Sequence, residues 1–219
     1  MLRNHHPDFK VKGMSCRLTT STPTLTKADI EPRIRAVYTA LSEKYSHIDR
    51  RQLKQLEILE PYVRYFKKFK KTYHLFLQLE SFIHKKRSLP FITPLVSAYF
   101  LAELETGVLS SAHDLDKVEL PFSLEKSSGG EPLTLINGEK RSAPAGDALL
   151  TDASGLLTCV IQGQDKRTIL SPASQNAAYF VYGPPGVEER ALTAALELLA
   201  EHLHSWYGSS AVIEVMHSR

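Results

Sequence analysis

The sequence predicts a mixed α/β fold of the α+β kind, in which a mixed sheet is flanked by helices and preceded by a helical N-terminal lead-in. Apolar residues recur every three or four positions in much of the stretch from residue 30 to 106 and again from 187 to 206. That is the spacing of amphipathic helices. Short apolar runs separated by glycine, asparagine and aspartate occupy much of the chain from 120 to 182, which is typical of strands joined by tight turns.

The first 59 residues predict a strand followed by helices. Residues 9–18 alternate apolar and polar side chains around Gly13, which indicates a strand with a bulge or break at the glycine. A hydroxyl- and proline-rich loop follows, until Thr26 or Asp29 caps the next helix. The spacing of Ile34, Val37 and Leu41 then predicts one or two helices over 30–59.

Residues 60–71 combine aromatic and basic side chains, and a second helix is predicted over 72–84. Either the aromatic residues are core and the lysines are solvated, or the basic face contacts nucleic acid. The basic residues at 85–87, which end the second helix, interact favourably with the helix dipole and are also suited to binding phosphate. The candidate RNA-binding residues are Lys67, Lys68, Lys70, Lys71, Lys85, Lys86 and Arg87.

The strongest local signals surround a helix at 93–107. Thr93 is an N-cap, Pro94 suits the first helical position, and Gly107 permits a left-handed ending. The helix is expected to pack one apolar stripe against a sheet and to run into a polar turn at residues 110–117.

The remaining chain predicts short strands and one long helix. Strands are expected over 120–124, 132–136, 148–151, 156–162 and 176–182. A helix over 187–206 follows, with glutamates in its first turn, and residues 212–216 form a final strand.

Charge is distributed unevenly along the 219 residues. Residues 1–90 contain 19 Lys and Arg against 8 Asp and Glu, whereas residues 91–219 contain 8 against 16. The basic half is suited to binding a polyanion such as RNA, to docking on the acidic half, or to a solvated helical surface. We expect residues 1–88, a strand and basic helices, to pack on a core of residues 89–219 as one compact unit.

Several classes of protein are excluded by pattern. No apolar run approaches the roughly 20 residues that span a bilayer, and the first ten residues lack the apolar centre of a secretion signal, so a cytoplasmic location is expected. Cys16 and Cys159 have no metal-ligand or redox spacing. No GxSxG, HExxH or phosphate-binding glycine loop occurs. No cofactor or metal is predicted, and the pattern does not indicate an oligomeric state.

An ordered series of motifs resembles one known domain. LPFITPLVSAYFLAELETG at 89–107 is followed by DLDK, by GGEPLTLING at 129–138, by APAGDALLTDASGLLT at 143–158, and by QGQDKRTILSPASQNA at 162–177. These resemble the B3/B4 domain, the editing domain of the bacterial phenylalanyl-tRNA synthetase beta subunit, and its free-standing relatives. The likeness covers about residues 61–203 and implies a mixed α/β domain that binds RNA-linked amino acids.

The resemblance implies a set of site residues. Aligned on DLDK, the histidine, alanine and phenylalanine of the family's editing pocket fall on Ser111, Ala112 and His113. The family's pocket glutamate falls within 162–168, where this chain has no glutamate and Gln164, Asp165 or Lys166 takes its place. The candidate catalytic residues are Ser111, His113 and Gln164, and the candidate substrate-binding residues are Ala112, Glu131, Gln162, Gly163, Asp165, Arg167 and Thr168.

The implied function is hydrolysis of the ester that joins a mischarged amino acid to tRNA. The expected partners are an aminoacylated tRNA and its amino-acid moiety. A non-catalytic module that binds an amino acid or an RNA end is the alternative, favoured by the missing histidine and glutamate. A third possibility is an interaction domain whose N-terminal helices bind a protein.

Overall fold

The computed structural model describes residues 1–19, 22, 24–85 and 93–217. The helices are α1 (Lys27–Tyr45), α2 (Arg50–Lys54), α3 (Glu60–Lys68), α4 (His74–Lys85), α5 (Pro94–Thr106) and α6 (Glu189–Tyr207). The strands are β1 (Leu2–Asn4), β2 (Lys10–Leu18), β3 (Leu109–Asp114), β4 (Phe122–Lys126), β5 (Pro132–Thr134), β6 (Lys140–Ser142), β7 (Ala148–Asp152), β8 (Gly155–Cys159), β9 (Gly163–Gln164), β10 (Asn176–Gly183) and β11 (Ala211–Met216). The predicted mixed α+β class is confirmed.

The N-terminal helices share one apolar core with the sheets. Thr26 precedes α1, and its backbone N–H donates to the Asp29 carboxylate over 2.7 Å, so both expected capping residues take part. Tyr62 and Phe66 of α3 are buried, and their cluster continues into the strands. The predicted division of the chain at residue 88 falls within 86–92, outside the described residues.

Helix α5 has the predicted ends but not the predicted single stripe. The Thr93 hydroxyl accepts from the Val96 N–H over 3.1 Å, and Gly107 has a φ of 76°. Leu95, Val96 and Ser97 are consecutive and point about 100° apart around the helix, yet all three are buried. The expectation of one apolar face was wrong because α1, α4, α6 and β3 all pack against α5.

Two larger sheets carry the fold. One has the strand order β11-β2-β10-β3 and is antiparallel throughout. The other has the order β1-β4-β7-β8-β9, in which only the β1–β4 pair is parallel. β5 and β6 form a separate hairpin.

The central strand β10 presents its two faces to different layers. The Tyr179 hydroxyl donates to the Leu95 carbonyl of α5 over 3.1 Å. Phe180, on the opposite face, meets Phe122 of β4 with ring centroids 4.8 Å apart. Helices therefore cover one face of the four-stranded sheet, and the five-stranded sheet covers the other.

Gly13 does not form the expected bulge. Strand β2 pairs with β10 without interruption, and Gly13 lies opposite Phe180. A Cβ at this position would be 2.9 Å from two atoms of the Phe180 ring. The glycine is therefore explained by close packing of an aromatic ring on the strand backbone.

None of the helices in the described part of the chain is long and apolar enough to cross a membrane.

Candidate functional site

Ser111 and His113 lie on a strand rather than in the expected turn. They belong to β3, where Ser111 pairs with Phe180 and His113 with Ala178 of β10. Directly paired residues share a face of a sheet, so both side chains point toward the five-stranded sheet, as Phe180 does. The two candidates are therefore enclosed between the two sheets, and Ala112 points the other way.

A buried polar network surrounds the imidazole of His113. The Ser111 and Thr158 hydroxyls each lie 3.1 Å from Nε2, and the Thr168 hydroxyl lies 2.8 Å from Nδ1. The Gln164 amide nitrogen is 3.2 Å from Nδ1. We call Ser111, His113, Thr158, Gln164, Thr168 and Tyr182 the His113 cluster; Tyr182 joins it through a 2.6 Å hydroxyl contact with Ser111.

The position of Gln164 is the basis for assigning the tautomer of His113. The Gln164 amide nitrogen donates to the Ala112 carbonyl over 2.6 Å, and a carbonyl oxygen of the amide at that place would face another oxygen. The second N–H of the same amide then points to Nδ1. We therefore assign Nδ1 as the acceptor and place the proton of the neutral ring on Nε2, toward Ser111 and Thr158.

Burial keeps this imidazole neutral. His113 is fully buried, and desolvation lowers its pKa to about 3, with a further lowering by the charge of Arg167 and an opposing effect of Asp152. A ring that already holds its proton on Nε2 cannot take one from Ser111. With the assigned tautomer, Ser111 and His113 do not form a serine nucleophile with a histidine base, because that pair needs an unprotonated Nε2.

The segment 162–168 supplies one wall of the cluster and also stabilises itself. Gly163 has a φ of 112°, a backbone conformation that favours glycine. The carboxylate of Asp165 accepts from the N–H groups of Thr134 and Arg167 over 2.6 and 2.8 Å. Gln162 donates to the Ser142 carbonyl over 3.4 Å. Gln164 and Thr168 thus point into the cluster, while Gln162 and Asp165 bind the β5–β6 hairpin.

The guanidinium of Arg167 is engaged by a buried carboxylate. It makes two bonds to Asp152 of 2.8 and 3.1 Å and a third to the Lys117 carbonyl of 3.2 Å. Burial raises the pKa of Asp152, but the hydrogen bonds from Arg167 and from backbone N–H groups outweigh it, so the pKa is lowered overall. In this geometry Arg167 ties the segment to the end of β7.

Glu131 closes its own turn. Its carboxylate accepts from the Ser127 hydroxyl over 2.6 Å and from the Ser128 N–H over 2.8 Å. Partial burial acts to raise its pKa, but these bonds lower the pKa to about 2. None of its hydrogen bonds involves the His113 cluster.

The DLDK segment braces the end of β3. Asp114 accepts from the Asp116 N–H over 3.1 Å, which caps a 3₁₀ turn, and from the Ser174 hydroxyl over 2.6 Å. Asp116 accepts from the Asn176 side chain over 2.9 Å. Asp114 therefore does not orient His113, although the two are adjacent in sequence.

The candidate RNA-binding lysines of α3 and its end are exposed. Lys67, Lys68, Lys70 and Lys71 are solvent-accessible, while the aromatic face of the same helix is buried. The Tyr62 hydroxyl donates to the Tyr182 carbonyl over 2.6 Å, so that buried face contacts the backbone of one member of the cluster. The side chain of Lys85 and the residues Lys86 and Arg87 lie outside the description.

Two members of the cluster were missed from the sequence. Tyr182 alternates with Phe180 in NAAYFVY, and this period of two would have placed both on one face. Thr158 is the polar residue of an otherwise apolar strand, and strand register alone brings it to His113. Within the described residues, no group of three or more His, Cys, Asp or Glu side chains is placed to hold a metal.

Comparison with known proteins identifies a family and a likeness to solved structures. The B3/4 domain family matches residues 60–203, which is more than half of the chain and includes the whole His113 cluster. An N-terminal fragment of the phenylalanyl-tRNA synthetase beta subunit from Pyrococcus horikoshii is 16% identical over 57% of this chain, with a TM-score of 0.46. The chain covers 42% of that fragment. No curated protein matches the sequence.

Proposed function

Because the chain belongs to the B3/4 domain family, we propose that it binds the aminoacylated end of a tRNA in the cytoplasm and hydrolyses the ester of a mischarged amino acid. The observation that carries this proposal is the His113 cluster, which joins β3 to the segment 162–168 inside the matched region. A polar cluster between two sheets provides fixed donors and acceptors for one small polar ligand.

Hydrolysis of this ester does not require a strong side-chain base. An ester between an amino acid and ribose is already activated, so a positioned water and fixed hydrogen-bond donors lower the barrier to attack. His113 holds its proton on Nε2 and is neutral. Its role here is to fix the Ser111 and Thr158 hydroxyls rather than to remove a proton.

Gln164 is the entry point for a ligand. Ser111, His113, Thr158, Thr168 and Tyr182 are buried, whereas Gln164 is only half-buried. Its amide and the Ser111 hydroxyl would recognise a hydroxyl on the amino-acid side chain. A site built for such a bond rejects a ligand lacking it by about 10⁴ in favourable cases, which would separate tyrosine from phenylalanine.

The exposed lysines supply the RNA contact. Lys67, Lys68, Lys70 and Lys71 form a basic surface on a helix whose other face touches the strand of Tyr182. Phosphate contacts release counterions, so affinity for tRNA should fall steeply with salt.

Binding without catalysis is the second candidate, and burial favours it. The polar atoms of Ser111 and His113 are already paired inside the protein, so a reacting group would have to displace an existing partner. A domain that retains the cluster for recognition alone would need only its half-buried edge.

The test is a deacylation panel of mischarged tRNAs with the wild-type protein, Gln164→Ala and the matched control Gln55→Ala. Gln55 is an exposed glutamine at the end of α2. We expect hydrolysis above the rate without protein, a loss of at least about tenfold in Gln164→Ala, and no change in the control. A wild-type rate equal to that without protein rules out the hydrolase. In that case, tighter binding of aminoacylated than of uncharged tRNA would establish the binding module.

A further inference from the structure

A short N-terminal loop holds one histidine in a fixed orientation. The Asn4 side chain accepts from the His6 N–H over 3.0 Å and donates to the Phe9 carbonyl over 2.9 Å. His6 Nδ1 accepts from the N–H groups of Asp8 and Phe9, each over 3.1 Å. Two of these hydrogen bonds hold the ring itself, and the two made by Asn4 hold the loop of residues 4–9 between β1 and β2.

These bonds leave one buried donor without a partner. Because Nδ1 accepts two hydrogen bonds, the proton of the neutral ring is on Nε2. Burial lowers the pKa of His6, so the ring is neutral near pH 7. His6 is only 6% exposed, and its Nε2 is buried without a hydrogen-bond partner among the described residues. An unpaired buried N–H typically costs about 1–3 kcal/mol, so such a group favours a ligand that accepts from it.

His6 lines a recess of about 340 Å³ that also contains two lysines. Lys68 comes from the end of α3 and Lys126 from the end of β4, and both are exposed. Neither ammonium is in an ion pair with a carboxylate of the described residues, and Asp8 is the one acidic residue in the lining. The charge of Lys126 acts directly on the His6 ring. The recess therefore has a net positive charge, and His6, whose Nε2–H is unpaired, belongs to its lining.

We infer that this recess binds a phosphate group, held by Lys68, Lys126 and the Nε2–H of His6. Phosphate oxygens accept charge-assisted hydrogen bonds from such donors, and a monoester offers three terminal oxygens while a phosphodiester of an RNA strand offers two. The recess is larger than a phosphate group needs, and Phe9 and Phe69 form part of its wall. The remaining space suits the sugar or base attached to the phosphate, because bases stack on aromatic rings.

The phosphate has two possible sources, a free nucleotide and the backbone of an RNA strand. Lys68 belongs to the basic surface described above, so an RNA lying on that surface would reach the recess. This inference does not rest on ester hydrolysis, since none of the three donors belongs to the His113 cluster.

The experiment is a titration of the full chain with inorganic phosphate and 5′-AMP by calorimetry, and with a single-stranded RNA lacking terminal phosphates by fluorescence anisotropy. The variants are Lys68→Gln and Lys126→Gln, with Lys140→Gln, an exposed lysine of β6, as the matched control. All three changes are at exposed positions and should leave the fold intact. We expect saturable binding of at least one probe, a loss of about tenfold in affinity for each of the two recess variants, and no loss in the control.

The pattern of losses identifies the source. A loss confined to phosphate and 5′-AMP supports a free nucleotide, and a loss for the RNA supports the strand. The signal of the Nε2-bound proton of His6 should shift on binding in an NMR spectrum of protein with labelled histidine. The inference is overturned if no probe saturates, if Lys126→Gln behaves like Lys140→Gln, or if the His6 signal does not respond to a probe that binds.

Discussion

A carboxyl group inside the helical layer should make stability depend on pH. Glu103 of α5 is 2% exposed, and its carboxyl accepts from the Ser110 N–H over 2.6 Å. Burial raises its pKa from 4.5 to about 8, with the Ser110 bond opposing the shift. The folded protein therefore keeps the proton over a range in which the unfolded chain has lost it.

The sign and size of the effect follow from proton linkage. Below pH 4.5 the Glu103 carboxyl is protonated in both the folded and the unfolded state, so the full stability is present. Above pH 4.5 the carboxyl ionises first in the unfolded state, so stability falls until the folded-state pKa near 8 is reached. Each pH unit within this window costs about 1.4 kcal/mol, so the loss between pH 5 and pH 8 amounts to about 3.5 kcal/mol. Burial, with the charge of Glu103 adding to it, raises the pKa values of Tyr62, Tyr73, Tyr99 and Tyr182, so these tyrosines stay neutral throughout.

Glu103→Gln removes the proton equilibrium and keeps the shape. The amide oxygen can still accept from Ser110, so the variant should match the wild type within about 1 kcal/mol at pH 5 and exceed it by about 3 kcal/mol at pH 8. Urea unfolding followed by far-UV circular dichroism at four pH values measures this difference. Glu201→Gln, at an exposed position of α6, is the control and should follow the wild type.

The comparison between variants cancels other titrating groups. The buried His113 has a lowered pKa, so its contribution is present above the unfolded-state pKa near 6.5 and is lost as pH falls through that of the folded state. That effect is common to the wild type and Glu103→Gln. Parallel pH profiles for the two proteins would refute the reasoning, because they would mean that Glu103 is ionised in the folded state.

Two further substitutions test how the sheets are held together. Gly13→Ala should destabilise the protein by about 1–3 kcal/mol because the new Cβ meets the Phe180 ring. In a double-mutant cycle of urea unfolding, the same substitution should cost less in a Phe180→Leu background. Equal costs in both backgrounds would contradict the explanation. Arg167→Gln should cost about 1–3 kcal/mol at pH 7 because the buried Asp152 carboxylate loses its cation. The loss should shrink as pH falls below 3.8 and should vanish once pH is below the lowered pKa of Asp152 in the folded wild type, where this carboxyl is protonated in both proteins. The control Arg190→Gln breaks an exposed ion pair and should change stability by less than about 0.5 kcal/mol. If Arg167→Gln and Arg190→Gln have equal effects, the ion pair of Arg167 with Asp152 does not stabilise the fold more than an exposed pair does.

The sequence was sufficient where the determining interactions are local. Thr93, Pro94 and Gly107 define the ends of α5 through bonds that span three or four residues, and these ends were found as predicted. The ordered motifs between residues 89 and 177 were sufficient for the family, which the match over 60–203 confirms.

The candidate site could be predicted only as a list of residues. Ser111, His113, Gln164 and Thr168 were all named, but their arrangement was not. Ser111 was placed in a turn, and Thr158 and Tyr182 were not named at all, because each reaches His113 or Ser111 across 45 or 71 residues of chain. Pairing between distant strands depends on register, which no local pattern encodes.

The sequence by itself determined the two ends of α5, the approximate positions of the longer helices and of strands such as β2 and β10, and the family to which the chain belongs. The tertiary structure alone decided that Ser111 and His113 face a second sheet, that the Gln164 amide lies against Nδ1 of His113, and that Glu131 and Arg167 are engaged by their own neighbours. The physical reason is that protonation and pairing depend on burial and on partners from distant strands, which exist only once the sheets have packed.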